Sequence, residues 1–253
     1  MIFSEFYGAY YNTIAAILTE AVAHPVSEQE MKRIIEPGVS TKYLDDAAMR
    51  IIKEHKAIPT FLGYNGFPAS ICASVNGEVV HGIPRESCIL KEGDIVSIDV
   101  GATYRGLVGD GAWTYPVGEV SDECKMLLET TERALMAAIS VMKDNTLLDD
   151  VSGAVEDVAK EKGLGIVRQY GGHGVGRQMH EEPFVFNYRV GNKFVIKNGM
   201  TIAIEPMLNL GGDDVHTLED DWTVVTNDGK PSAHFEHTIH VTDGEAEILT
   251  KLL

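Results

Sequence analysis

Positive charge is what this chain has least of. It carries 21 Lys and Arg against 38 Asp and Glu, a formal net charge of −17. Such a balance repels phosphate backbones and anionic headgroups, so neither direct nucleic-acid binding nor a membrane partner is expected. Cysteine is scarce as well: Cys72, Cys88 and Cys124 are odd in number, far apart and form no C-x-x-C pair. A reduced, cytoplasmic setting fits them better than a disulfide framework. No apolar run approaches the length of a membrane span, and Met1-Ile-Phe-Ser-Glu-Phe-Tyr7 lacks the basic flank of a secretory signal. With 44% hydrophobic and 23% charged residues, disorder is also ruled out, and 253 residues suffice for one large core.

Against these absences stands an internal repeat. Lys91-Glu-Gly-Asp-Ile-Val-Ser-Ile-Asp99 and Lys197-Asn-Gly-Met-Thr-Ile-Ala-Ile-Glu205 are near copies. Each reads as a Lys-x-Gly turn and an apolar strand ending on a carboxylate, which is thereby delivered toward the interior. Buried carboxylates in equivalent places are costly unless something positive lies between them. A metal ion is the simplest candidate.

The repeat extends further. A helix with Leu44-Asp-Asp46, a β segment, His81-Gly82 and the first strand are matched by a helix with Leu148-Asp-Asp150, a β segment, His173-Gly174 and the second strand. Ser40-Thr41 caps the first of these helices, which carries Leu44, Ala48, Ile51 and Ile52 on one face. Ser121 opens a helix with Leu127, Leu128, Leu135 and Ala138, and a further helix runs from near Thr146 to a stop at Gly163. Two similar α+β halves related by a pseudo-twofold, with the site between them, follow from this order. Residues 1–36 stand apart as a helical segment, with Tyr11, Ile14, Leu18 and Val22 at helical spacing and a capping box at Ser27-x-x-Glu30. The catalytic domain is then expected over 37–253.

Five residues carry the metal chemistry. Asp99 and Asp110 flank Gly101-Ala-Thr-Tyr-Arg-Gly106, a hairpin-like connection that would put both carboxylates on one sheet face. His173 sits in Tyr170-Gly-Gly-His-Gly-Val-Gly176, where glycines let backbone approach closely and expose the imidazole. Glu205 precedes Pro206 at the end of its strand, and Glu236 lies within the apolar strand Phe235-Glu-His-Thr-Ile239. Strand alternation turns His237 to the opposite face, a packing role. His24, His55, His216, His234 and His240 have no comparable context and read as structural or exposed. Four carboxylates and one imidazole suit Mn(II), Fe(II), Co(II) or Zn(II) and exceed what one ion needs. Two ions about 3.5 Å apart, bridged by carboxylates and a water, would use them all.

Together with Pro37-Gly-Val-Ser-Thr41, Gly63-Tyr-Asn-Gly-Phe-Pro68, Val79-Val-His-Gly-Ile-Pro84, His180-Glu-Glu-Pro183, Gly199-Met-Thr-Ile-Ala-Ile-Glu-Pro-Met207, Trp222 and Glu236-His-Thr-Ile239, these motifs resemble the type I methionine aminopeptidases. The resemblance implies the pita-bread (creatinase/aminopeptidase) fold and two divalent ions (Co, Mn, Fe, Zn or Ni) held by Asp99, Asp110, His173, Glu205 and Glu236. It implies non-ligand catalytic and substrate-binding roles for His81 and His180. It also implies a methionine pocket of Tyr64, Phe67, Cys72 and Trp222, with Phe61 and Met179 as neighbours. Gly111 departs from the hydroxyl residue commonly found there. The activity implied is removal of the N-terminal methionine from nascent polypeptides when the second residue is small. The nucleophile would be a water acidified between the ions and Glu205 the proton shuttle. The enzyme would be a cytoplasmic monomer that meets ribosomes only transiently.

Overall fold

The computed structural model describes residues 34–250, so the expected helices before Ile34 lie outside the described residues. Among the described residues three α-helices, α1 (Thr41–Glu54), α2 (Asp122–Val141) and α3 (Leu148–Lys162), pack against four sheets. The first sheet holds β1 (Ile58–Pro59), β2 (Cys72–Val75), β4 (Ile95–Tyr104) and β5 (Leu107–Pro116), with β4 at its centre. β7 (Gly172–Gly174), β8 (Glu181–Val185), β9 (Thr201–Ile204), β14 (His237–His240) and β15 (Glu247–Ile248) form the sheet of the second half, in the order β15-β14-β9-β7-β8. Two three-stranded sheets complete the layer: β6 (Gly165–Ile166), β10 (Met207–Asn209) and β13 (Ser232–His234), and β3 (Glu78–Val80), β11 (Val215–Thr217) and β12 (Val224–Thr226).

Ser40 caps α1 by accepting the Tyr43 N–H at 3.1 Å, and Ser121 caps α2 by accepting that of Cys124 at 3.2 Å. α3 starts at Leu148, slightly later than its sequence signals suggest, and stops where Gly163 turns left-handed. Leu127, Leu135, Leu148, Val151, Ile202 and Ile239 are fully enclosed in the core between α2, α3 and the second sheet. A second core, containing Leu44, Ala48, Ile71, Val96 and Ile98, lies between α1 and the first sheet. Burial of each large aliphatic side chain contributes roughly 1.5–3 kcal/mol.

The pseudo-twofold is visible bond by bond. Gly93 and Gly199 adopt φ of 91° and 90°, a region that disfavours any side chain. Their N–H groups donate to Val117 O and Val241 O at 3.0 and 2.9 Å, and those valines donate back to Asp94 O and Met200 O. Ser40 and Leu147, which precede α1 and α3, each form an isolated bridge two residues before a repeated lysine, to Ile89 and Val195. The first aspartate of each Leu-Asp-Asp also acts alike. Asp45 accepts the Ser70 N–H at 2.8 Å, and Asp149 Oδ1 accepts those of Val190, Gly191 and Asn192 at 2.9, 2.9 and 3.1 Å. Helix and following segment are thus tied in both halves by the same carboxylate.

The connection between β4 and β5 is tighter than expected. The strand runs on to Tyr104, and only Arg105 and Gly106 form the turn, both at positive φ as a type I′ hairpin requires.

The three N–H groups, Val190 foremost, hold the Asp149 carboxyl below its ordinary value. A depressed carboxylate stabilises the fold above the unfolded pKa, near 4, and that contribution is lost as pH falls through the lower folded value. Asp149→Ala should therefore lower the melting temperature at pH 7. The deficit should shrink below about pH 4; thermal melts across pH 3–7 check this, and a deficit independent of pH would contradict it.

Candidate metal centre

Register decides how the first two carboxylates meet. Asp99 lies opposite Ala112 in the β4–β5 ladder, and Asp110 is two residues from Ala112. Both side chains therefore share one face of the sheet. The second pair arrives from the other half: Glu205 directly follows β9, and Glu236 stands between β13 and β14. Glu236 is outside the strand proper, not within it, because it exchanges backbone bonds with Ala112 of β5, N–H to O at 2.8 Å. Thr114 and Thr238 continue this seam. The Thr114 hydroxyl accepts from His234 N–H at 2.9 Å and donates to His234 O at 2.8 Å, while Thr238 does the same for Asp110 at 3.1 and 2.8 Å. The halves are sewn together at the carboxylates.

His173 completes the group from β7. A Cβ at Gly172 would lie 2.2 Å from Ala203 O, and one at Gly174 2.2 Å from Glu182 O. The flanking glycines are needed for close backbone approach, as expected, but the imidazole they position is buried, at 6% exposure, not exposed. Its Nδ1 contacts Gly174 O at 2.9 Å and its Nε2 lies 3.6 Å from both Asp110 Oδ2 and Glu205 Oε1.

Asp110, His173 and Glu236 place donor atoms within 4.8 Å of one another. Burial, and then the neighbouring Asp110 and Glu205, raise the Asp99 carboxyl well above its ordinary range. Burial followed by Asp110, Glu205 and Asp99 does the same to Glu236. Burial opposes the charged form of His173 too, yet Asp110 and Glu205 outweigh it and raise the imidazole to about 9. Asp99 Oδ1, Asp110 Oδ1 and Glu236 Oε1 are enclosed and have no hydrogen-bond partner. Orphaned, crowded acceptors beside an imidazole nitrogen have the chemistry that a divalent cation takes, and Asp99 and Glu205 lie beside the Asp110, His173 and Glu236 group.

The wall of the site is largely histidine and aromatic. His180 contacts Tyr64 Oη through Nδ1 at 2.8 Å and its ring centre lies 4.2 Å from that of His173, the planes tilted by 53°, while burial and the His173 charge lower its pKa. His81, at a φ of 58°, packs edge-on against Tyr170 and Trp222. Burial above all, then His234 and His180, lowers it to about 4, so it is neutral at physiological pH. Beside them, Phe61, Phe67, Cys72 and Met179 are buried in one cluster with Tyr64 and Trp222 at its edge. Cys72 faces Asp99 across the β2–β4 ladder, and burial followed by Asp99 keeps its thiol protonated.

His234 stands in a context that its sequence surroundings did not suggest. It is not exposed: it is 2% exposed, lines the cavity with Asp99, His173 and Glu205, and has an unpartnered Nε2. The signal was its place two residues before Glu236, which alternation puts on the same side. Gln169, Tyr170 and Phe184 also line the cavity, and only Tyr170 fell within a quoted motif. His237 behaves as expected, bonding Thr250 Oγ1 at 2.7 Å and stacking on Trp113. Among the described residues no helix is long and apolar enough to cross a membrane.

The model of metallopeptidase family M24 matches residues 14–243. Methionine aminopeptidase 1 of Bacillus subtilis is 51% identical over 228 residues, covering 90% of this chain and 92% of that protein. The crystal structure of methionine aminopeptidase from Thermotoga maritima superposes with a TM-score of 0.91 at 43% identity, over 94% of this chain and 97% of that one. The prolidase from Pyrococcus furiosus shares the fold, with a TM-score of 0.71 at 22% identity, over 95% of this chain and 62% of that one.

Relief of the carboxylate crowding predicts a specific pattern of stability. Mn(II) or Co(II) at a hundred times its dissociation constant should stabilise the wild-type fold by about 2.7 kcal/mol. Asp99→Asn should melt higher than wild type without ions yet gain less on their addition. Scanning calorimetry with and without chelator decides this, and identical melts in both conditions would count against a metal centre.

Proposed function

The chain belongs to metallopeptidase family M24, with the family's pita-bread fold, and we propose that it removes the N-terminal methionine from nascent polypeptides whose second residue is small. The observation that carries this reading is the junction of the ligand cluster with an apolar, sulfur- and aromatic-lined cluster through the Cys72–Asp99 ladder pair. A thioether suits such a surface, which binds it by dispersion and sulfur–ring contact. We assign Asp99, Asp110, His173, Glu205 and Glu236 to two divalent ions. When bound, these would acidify a water and polarise the scissile carbonyl.

The chain's own residues do the rest. Glu205, which lines the cavity, accepts the proton of the attacking water on its carboxylate and returns it to the amide nitrogen of the departing peptide. We assign the Tyr64 hydroxyl as donor to His180 Nδ1, leaving the N–H on Nε2 to hydrogen-bond the carbonyl oxygen as negative charge develops there. Neutral His81 orients the substrate amide. Tyr64, Phe67, Cys72 and Trp222, with Phe61 and Met179, receive the methionine side chain. The substrate's free α-amino group would be held at one of the bound ions, which restricts the enzyme to chain ends. We place it in the cytoplasm as a monomer visiting ribosomes transiently.

Chelated enzyme should lose activity and regain it with Co(II), Mn(II) or Fe(II). Met-Ala and Met-Gly peptides should be cleaved faster than Leu-Ala, and Met-Lys or Met-Trp poorly. Glu205→Gln should lower turnover at least about 10²-fold, and His180→Ala should lower turnover with metal content retained. Cleavage of Arg-Pro but not Met-Ala peptides would instead move the protein to the Xaa-Pro peptidases.

A further inference from the structure

His234 closes β13 with its backbone held from both sides by the Thr114 hydroxyl. Its main chain is therefore fixed by the seam that joins the two halves. Nε2 stands 3.6 Å from Glu205 Oε2 and 3.9 Å from Glu236 Oε2. Both separations exceed hydrogen-bond length, and Nε2 has no other partner. Glu205 thus lies between two imidazoles, one oxygen 3.6 Å from His173 Nε2 and the other 3.6 Å from His234 Nε2. Two donors that each sit about 2.1 Å from a single ion are at most about 4.2 Å apart. The observed spacings fall inside that limit while missing the shorter range a hydrogen bond needs.

We infer that His234 is a sixth ligand of this centre, a second imidazole beside Glu205, so that the donor set has two nitrogens in place of one. The inference rests on the metal-dependent reading of the same site. Nitrogen suits Zn(II), Co(II) and Ni(II) better than Mn(II), which prefers oxygen. The extra imidazole therefore biases the centre toward the softer ions.

The full-length protein labelled with 15N-histidine, titrated with Zn(II) and followed by long-range 1H–15N NMR, tests this without any mutation. The Nε2 resonances of two histidines should move to metal-bound positions at saturation. His234→Gln should retain one of them and bind Zn(II) about 10–100-fold more weakly by chelator competition, with a smaller loss for Mn(II). If saturating Zn(II) moves the signal of one histidine alone, His234 is not a ligand, whatever the variant does. Wild-type protein that hydrolyses Met-Ala with metal and shows one such signal overturns this inference but leaves the proposed function intact. Protein that takes up no metal overturns both.

Discussion

The mutual repulsion of four carboxylates in one partly enclosed space is the constraint around which this molecule is arranged. Uncompensated, such a cluster costs several kcal/mol and drives carboxylates toward their neutral forms, as the raised Asp99 and Glu236 attest. No lysine or arginine forms an ion pair with the cluster among the described residues; its nitrogen neighbours are His173 and His234. The fold does not let the acids separate. Asp99 and Asp110 are fixed by a ten-residue ladder, and Glu236 by backbone bonds to Ala112. A cation resolves the conflict that the backbone imposes.

That arrangement explains why the two halves, though alike, are not independent. Each ties its helix to the segment beyond with an aspartate and builds its turn on a glycine near +90°. Neither half alone assembles the carboxylate and imidazole cluster. The Thr114 and Thr238 hydroxyls bridge β5 to the 234–238 segment, so the seam that closes the core also sets the site. The apolar cluster and the carboxylates meet at one further ladder position, where Cys72 opposes Asp99.

Much of this was legible in the chain. The two Lys-x-Gly strands with Asp99 and Glu205, the Ser40 and Ser121 caps and the Gly163 stop follow from local periodicity and from the repeat, while Asp110, His173 and Glu236 were drawn from their strand and loop contexts and from the family resemblance. What was not legible depended on pairing. The β4–β5 turn is shorter than its glycine spacing implies, because Ala102, Thr103 and Tyr104 still find ladder partners. Glu236 lies off its strand because β5 claims its backbone. His234 carries no motif of its own, and its meaning comes from the neighbour two residues on. His173 is buried although its glycines suggest an exposed loop, since close-packed main chain, not solvent, occupies the space those glycines leave.

The glycines around His173 also bear on timing. Because main-chain atoms of Ala203 and Glu182 fill the room that side chains would take, the imidazole is set in place by the sheet before any ion arrives. His173 would then bring little ordering of its own to metal loading. Uptake of an ion should proceed at the pace at which that ion sheds its own hydration shell, quick for labile cations and slow for those that hold water tightly.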